Sequence, residues 1–246
     1  AMPYLYKLAG GCIVSRNIRV FGLGESNMEA ILHDMMAESQ NPTIAPYAKT
    51  SECFARVTAK ADTPEECEQL LDPVVEKICA MLGEDVYGVD VDSLERVVGD
   101  GLRARGLTLA VAESCTGGLL SKRITDVPGC SDYYLGGVCS YANEVKMNVL
   151  GVQKETLDTV GAVSPEVAEQ MAEGVARALG ADVGVGITGV AGPGGGTDEK
   201  PVGLVYISIW HKGQHFTRKM KSMNGRDRIR MQAASTALDL IRRNVF

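Results

Sequence analysis

The stretch that most constrains this chain lies between residues 107 and 124. Residues 107–111 are an apolar run that reads as a short buried strand, and 119–124 read as the first turns of a helix. Between them stands Ala112-Glu113-Ser114-Cys115-Thr116-Gly117-Gly118, a hydroxyl-rich turn ending in two glycines. A strand that feeds a helix through such a turn is the repeating unit of layered α/β domains. It presents polar side chains at the strand's carboxyl end, where N–H groups at the start of the helix can hold an anion or an oxyanion. Ser114, Cys115 and Thr116 are three candidate nucleophiles at that position. The same residues also describe a capped helix start with no chemistry, in which Ser or Thr is the N-cap and glycine allows close packing.

The rest of the chain decides how far this unit repeats. From residue 94 onward, helical and strand patterns alternate: a helix over 94–105, the strand at 107–111, a strand over 133–141, and a short helix opening at Ala142 and ending at Gly151. A helical stretch over 156–160 follows, then a helix opened by Ser164 and Pro165 and closed by Gly180, and a buried strand at 182–188. Strands at 201–210 and 214–220 are expected to form a hairpin around Lys212-Gly213, and a last helix opens at Gly225. This is an α/β domain with an α/β/α layering, its loops gathered at the carboxyl ends of the strands.

Ahead of it the pattern differs. A strand at 18–23, a helix at 25–38, two strands at 43–49 and 53–61 across Thr50-Ser51-Glu52, and a helix from Thr63 to Gly83 make a small β-α-β-β-α unit of α+β type. Thr63, Pro64 and Glu66 carry the marks of a capping box with proline at the first helical position. The acidic stretch 84–92 reads as a connector, and the domains are placed at 1–90 and 91–246. Gly22-Leu23-Gly24 lacks the third glycine of a dinucleotide fingerprint, because Asn27 stands there, and reads as a tight strand-to-helix turn.

Composition narrows the function. A net charge of −6 without a long basic run argues against a nucleic-acid or anionic-membrane binder. The seven cysteines are scattered with no C-x-x-C pair, and three histidines are too few for a Cys/His zinc cluster, so the thiols read as reduced and packed. No signal peptide or membrane-spanning run is evident, which points to a cytoplasmic protein. Met2 reads as an initiator methionine with Ala1 ahead of it.

Three loops are chemically loaded: 113–118, 141–146 and 188–196. The last, Gly189-Val190-Ala191-Gly192-Pro193-Gly194-Gly195-Gly196-Thr197, follows a buried strand and lets backbone N–H groups approach a phosphate or oxyanion. No Walker pattern passes through it, and neither a G-x-S-x-G elbow nor a Ser-His-Asp set is available. Lysine is left as the base. Lys146, five residues past Tyr141 near a helix start, can lean into the same pocket as Ser114, and partial desolvation lowers a lysine's pKa toward a useful value. A Ser-Lys pair tuned by a Tyr hydroxyl would carry out acyl transfer without a metal. The other reading of Lys146 is a solvated helix lysine paired with Glu144 or Glu155.

The motifs Ala112–Gly118, Tyr141-Ala142-Asn143-Glu144-Val145-Lys146, Gly161-Ala162-Val163-Ser164, Gly186-Ile187-Thr188-Gly189-Val190-Ala191-Gly192-Pro193 and Lys200-Pro201-Val202-Gly203 resemble the C-terminal domain of the CinA family, the nicotinamide-nucleotide amidases. Gly22-Leu23-Gly24-Glu25-Ser26, Asn41-Pro42-Thr43-Ile44-Ala45-Pro46-Tyr47 and Gly83-Glu84-Asp85-Val86-Tyr87-Gly88 resemble the family's KH-type middle domain. The family's N-terminal molybdopterin-binding-like domain is not matched, so hydrolysis of ADP-ribose is not expected.

What the resemblance implies is hydrolysis of the carboxamide of nicotinamide mononucleotide to nicotinate mononucleotide and ammonia, a step of pyridine nucleotide salvage. It assigns Ser114 as nucleophile, Lys146 as general base and Tyr141 as a helper in proton transfer. Thr116, with Gly117 and Gly118, would orient the site or bind the oxyanion. Glu113, Asn143, Thr188, Gly189, Ala191, Gly192 and Gly194 would line the substrate site, with Arg226 and Arg230 as candidates for phosphate pairing. Cys115 ranks below Ser114 because a cysteine nucleophile normally has a histidine beside it. No metal or other cofactor is expected; the partners are a pyridine nucleotide and a second copy in a homodimer, with no nucleic acid and no membrane. The alternative is a non-catalytic nucleotide-binding or regulatory protein of the competence-damage-inducible type.

Overall fold

The computed structural model describes residues 11–48, 52–222 and 225–246. Ala1, Met2 and the expected turn residues Thr50 and Ser51 lie outside the described residues. The chain forms two compact units that divide after Asp92.

The first unit contains β1 (Cys12–Val20), α1 (Glu25–Glu38), β2 (Thr43–Ala48), β3 (Cys53–Ala61), α2 (Pro64–Leu82) and β4 (Val86–Val89). Its strands form one antiparallel sheet in the order β2-β3-β1-β4. Ile18 and Val20 of β1 alternate inward beside Ala55, Val57 and Ala59 of β3, and pack with Met28, Leu32, Leu71 and Ile78 of the two helices. The α2 start carries the full capping box: the Glu66 N–H donates to the Thr63 hydroxyl while the Glu66 carboxylate accepts from the Thr63 N–H.

Two expectations are corrected here. The first strand runs over 12–20 rather than 18–23. Its polar run Ser15-Arg16-Asn17 hides the alternation, but the structure supplies each of these residues with a partner. Ser15 meets the Thr58 hydroxyl at 2.8 Å, and Arg16 pairs with Glu68 and Asp90. Inside the expected acidic connector, Val86–Val89 is a strand, paired with β1 and completing a β-α-β-β-α-β unit.

The second unit holds α3 (Leu94–Arg105), β5 (Leu109–Glu113), α4 (Leu119–Thr125), β6 (Tyr134–Cys139), α5 (Asn143–Leu150), α6 (Lys154–Val160), α7 (Pro165–Leu179), β7 (Val183–Gly189), β8 (Leu204–His211), β9 (Gln214–Lys221) and α8 (Gly225–Val245). The sheet order is β6-β5-β7-β8-β9, with the first three strands parallel and the last two antiparallel. α5, α6 and α7 form one layer, and α3, α4 and α8 pack together as the other. The β8–β9 hairpin closes through Lys212 and Gly213, both at positive φ, as a two-residue primed turn requires. β5 sits two residues later than the pattern at 107–111 indicates, because Ala112 and Glu113 are buried between β6 and β7 and continue the ladder.

Candidate functional site

The register of the three parallel strands assembles the site. Glu113 is level with Cys139 on one side and Ile187 on the other. The ladder continues for one more residue: the Ser114 N–H donates to the Ile187 carbonyl at 3.0 Å, and the Ser140 N–H to the Glu113 carbonyl at 2.8 Å. The three chemically loaded loops therefore leave the sheet side by side, at the crevice where open α/β sheets hold ligands.

Lys146 reaches this crevice from α5. On that helix Lys146 and Leu150, one turn apart, are the buried residues, so the lysine occupies a core-facing position. It is 1% exposed. Its Nζ donates to the carbonyls of Ser140 at 2.7 Å and Tyr141 at 3.3 Å, and lies 3.3 Å from Ser114 Oγ. Burial holds its pKa below the ordinary lysine value, because desolvation disfavours the ammonium form. In its neutral form the amine would have two N–H bonds for the two carbonyls and a lone pair left for the serine proton.

Ser114 and Tyr141 line a cavity of about 210 Å³ together with Cys115, Arg226 and the glycine-rich loop at Gly189, Val190, Ala191, Gly192, Gly194 and Gly195. Tyr141 is 68% exposed, so its ring stands at the mouth while its carbonyl holds the lysine. Cys115 is buried, and burial pushes its thiol up to about 12, leaving it protonated near neutrality.

Other predicted site residues have different neighbours. The Glu113 carboxylate is buried and accepts from the N–H groups of Leu120 (3.0 Å) and Ser121 (2.8 Å) and from the Ser121 hydroxyl (2.7 Å). It caps α4 from the preceding strand, so neither Ser nor Thr is the N-cap, and these helix N–H groups are not available to an oxyanion. Gly118 stands at the N-cap position with φ 90°, and the Gly117 N–H donates to the Ser114 carbonyl at 3.1 Å. Thr188 is buried and its hydroxyl donates to the Ala162 carbonyl at 2.7 Å, while Asn143 is an exposed residue at the start of α5. Thr116 is buried, and its hydroxyl has no hydrogen-bond partner among the described residues.

Arg226 donates to the Gly192 carbonyl at 2.6 Å, and Arg230 donates through Nη2 (2.6 Å) and Nε (3.2 Å) to the Thr116 carbonyl. Sequence reading missed the part played by Ser140, whose backbone carbonyl holds the lysine; a main-chain acceptor leaves no residue-type signal. It also missed Lys200, whose ammonium donates to the Val160 carbonyl at the end of α6 and ties down the far limb of the glycine-rich loop. Among the described residues no cluster of His, Cys, Asp and Glu could hold a metal ion, and no helix is long and apolar enough to cross a membrane.

Fold and site together define a class: a three-layer α/β domain that brings a serine hydroxyl to a buried lysine amine at the carboxyl ends of its parallel strands. The CinA C-terminal domain matches residues 91–245, and the KH domain of the damage-inducible protein CinA matches residues 15–88. The chain belongs to the CinA family. CinA-like proteins of Dictyoglomus thermophilum and Desulfovibrio desulfuricans are 48% and 50% identical to it over 245 and 247 residues. These alignments cover 100% and 99% of this chain but 60% and 58% of the relatives, so the chain spans about three fifths of their length. Among solved structures, a competence/damage-inducible protein from Agrobacterium tumefaciens is 40% identical with a TM-score of 0.60, over 61% of this chain and 92% of its own. Competence damage-inducible protein A from Klebsiella pneumoniae is 34% identical with a TM-score of 0.60, over 62% and 94%.

Proposed function

We propose that the chain hydrolyses the carboxamide of nicotinamide mononucleotide, releasing nicotinate mononucleotide and ammonia. The observation that carries this reading is the 3.3 Å approach of Lys146 Nζ to Ser114 Oγ, with the amine buried and held by two carbonyls. Burial shifts Lys146 toward its neutral form, which is a base for a serine hydroxyl, the pairing that acyl transfer needs when no histidine is at hand. In the first step the Ser114 proton passes to Lys146 Nζ as Oγ bonds to the carboxamide carbon. The resulting ammonium then gives that proton to the amide nitrogen as the C–N bond breaks and ammonia leaves. Water, deprotonated by the same amine, attacks the ester; the C–Oγ bond breaks and the serine hydroxyl is restored.

The cavity supports the rest of the assignment. Backbone of the glycine-rich loop lines the space beside Ser114, where a tetrahedral oxyanion would form, whereas the Thr116 hydroxyl is buried outside the cavity lining and is not assigned to the oxyanion. Arg226, on the cavity wall, is our candidate cation for the ribose phosphate, and Tyr141, also lining the cavity, our candidate helper in proton transfer. We assign the activity to a cytoplasmic homodimer with no bound metal or other cofactor.

The test is ammonia release from nicotinamide mononucleotide by the purified chain. Ser114→Ala is expected to lose roughly 10⁴-fold or more in rate, and Lys146→Ala roughly 10²–10⁴-fold, both with circular dichroism unchanged. Activity at the wild-type level in either folded variant would contradict the proposal.

A further inference from the structure

α8 meets both walls of the cavity. Its first turns carry Arg226 and Arg230, one helical turn apart and on one face. Arg226 grips the carbonyl of Gly192 in the glycine-rich loop, and Arg230 grips the carbonyl of Thr116, two residues past Ser114. The two arginines differ in setting: Arg226 is exposed and lines the cavity, whereas Arg230 is half-buried and both its bonds to Thr116 point into the nucleophile turn. A Cβ on Gly117 would lie 3.5 Å from Arg230 Nη2, so the guanidinium is packed against the turn as well as bonded to it.

A second arginine runs the other way. Arg123 of α4 donates to the Ser235 hydroxyl at 2.7 Å and the Met231 carbonyl at 3.5 Å, both on α8, and pairs with Glu95 of α3. The nucleophile turn, through Thr116, and the short helix after it, through Arg123, are thus both fastened to α8. The turn's backbone is also held by main-chain bonds, from the Ser114 N–H to the Ile187 carbonyl, the Gly117 N–H to the Ser114 carbonyl and the Leu119 N–H to the Thr116 carbonyl. Arg230 adds a side-chain tie from outside the loop, whereas the Glu113 carboxylate acts on the N–H groups of α4.

We infer that Arg230 is a positioning residue that holds the Ser114 turn in its attacking geometry through the Thr116 carbonyl, and that it is not a ligand of the substrate phosphate. This rests on the proposed amidase reading and refines it: of the two arginines considered for the phosphate, Arg226 alone faces the cavity. A phosphate ligand and a brace leave different signatures. Losing a phosphate ligand weakens binding of the phosphorylated substrate and spares the substrate without its 5′-phosphate. Losing a brace lowers the rate for both alike, because the defect lies in the nucleophile.

The experiment compares wild type, Arg230→Gln and Arg230→Lys on nicotinamide mononucleotide and on the same nucleoside lacking the phosphate. The expected result for Arg230→Gln is a fall in kcat of about tenfold or more on both substrates with KM nearly unchanged. Arg230→Lys, which keeps one N–H for Thr116, is expected to recover part of it. In parallel, acylation of Ser114 by a small activated ester, p-nitrophenyl acetate, is followed by peptide mass spectrometry. It is expected to slow by a similar factor in Arg230→Gln, and this readout separates the brace from the choice of substrate. If wild type is acylated at Ser114 but releases no ammonia from either nucleoside, the amidase reading fails and the brace stands or falls on the acylation rates. A rise in KM confined to the phosphorylated substrate would overturn the inference, as would Ser114 acylation at the wild-type rate in Arg230→Gln. Should Arg230→Gln not fold, the same comparisons on Arg230→Lys decide.

Discussion

Lys146 occupies a helix position that packing would assign to leucine, one turn before the buried Leu150. Its depressed pKa carries a sign that can be checked. The folded state binds fewer protons than the unfolded chain between the two pKa values, so stability rises with pH across that window; below it, the cost of charging a buried amine is fully present. Lys146→Met, which keeps the length and removes the charge, is expected to flatten the dependence of the urea midpoint on pH in the range just below the ordinary lysine value. A slope equal to the wild type's would show that the lysine does not titrate differently in the fold. Its neighbour Cys115 bears on the choice of nucleophile. With the thiol pushed up to about 12, Cys115→Ala is expected to keep ammonia release within roughly tenfold of wild type while costing stability of order 1 kcal/mol from the lost packing. A loss as deep as that of Ser114→Ala would transfer the nucleophile's role to the sulfur.

At the scale of elements, the strand–turn–helix unit was legible from residue types, but the device that holds it was not. Ser and Thr before a helix are the usual caps; here the cap is Glu113, a strand residue seven and eight positions ahead of the two N–H groups it binds, and such a loop-back is visible only once the turn is folded. Glu113→Ala is expected to cost about 1–3 kcal/mol, because it leaves buried donors unpaired, read as a fall in the denaturant midpoint at constant slope. An unchanged midpoint would remove Glu113 from the account of α4. The helix 25–38 and the hairpin at Lys212-Gly213 were readable because each rests on local signals, spacing in one and a two-residue turn in the other. β1 was misplaced because Ser15, Arg16 and Asn17 are matched by partners 43 to 74 residues away. Close packing is another long-range fact: a Cβ on Gly186 of β7 would fall 2.1 Å from the Ala168 carbonyl of α7. Gly186→Ala is therefore expected to destabilise the domain by about 1–3 kcal/mol or more through overpacking. Of the candidate site, Ser114 and the glycine-rich loop stood out by residue type, whereas Lys146 was decided only through the family resemblance, because its own residues also describe a solvated helix lysine. Thr188 and Asn143 carried no signal beyond their motifs, and the structure gives their side chains other surroundings.

On the scale of the whole molecule, the chain divides after Asp92, and every residue of the cavity belongs to 93–246. A fragment of 93–246 is expected to fold and to keep the kcat of the full chain within a few-fold, measured by ammonia release; an inactive but folded fragment would assign part of the site to the first unit. The first unit's sheet has β1 between β3 and β4, and none of that unit's described residues lines the cavity. The proposed reaction reduces to one proton passed between a serine at the end of β5 and a lysine on α5. The pH profile of kcat/KM for ammonia release, in wild type and in Lys146→Arg, tests that most directly. The account predicts a wild-type rate that rises tenfold per pH unit to a plateau, with its midpoint below the ordinary lysine value, and a Lys146→Arg rate that stays at background throughout, since a guanidinium cannot accept the proton. The same rising limb in Lys146→Arg, with its midpoint in place, would contradict it.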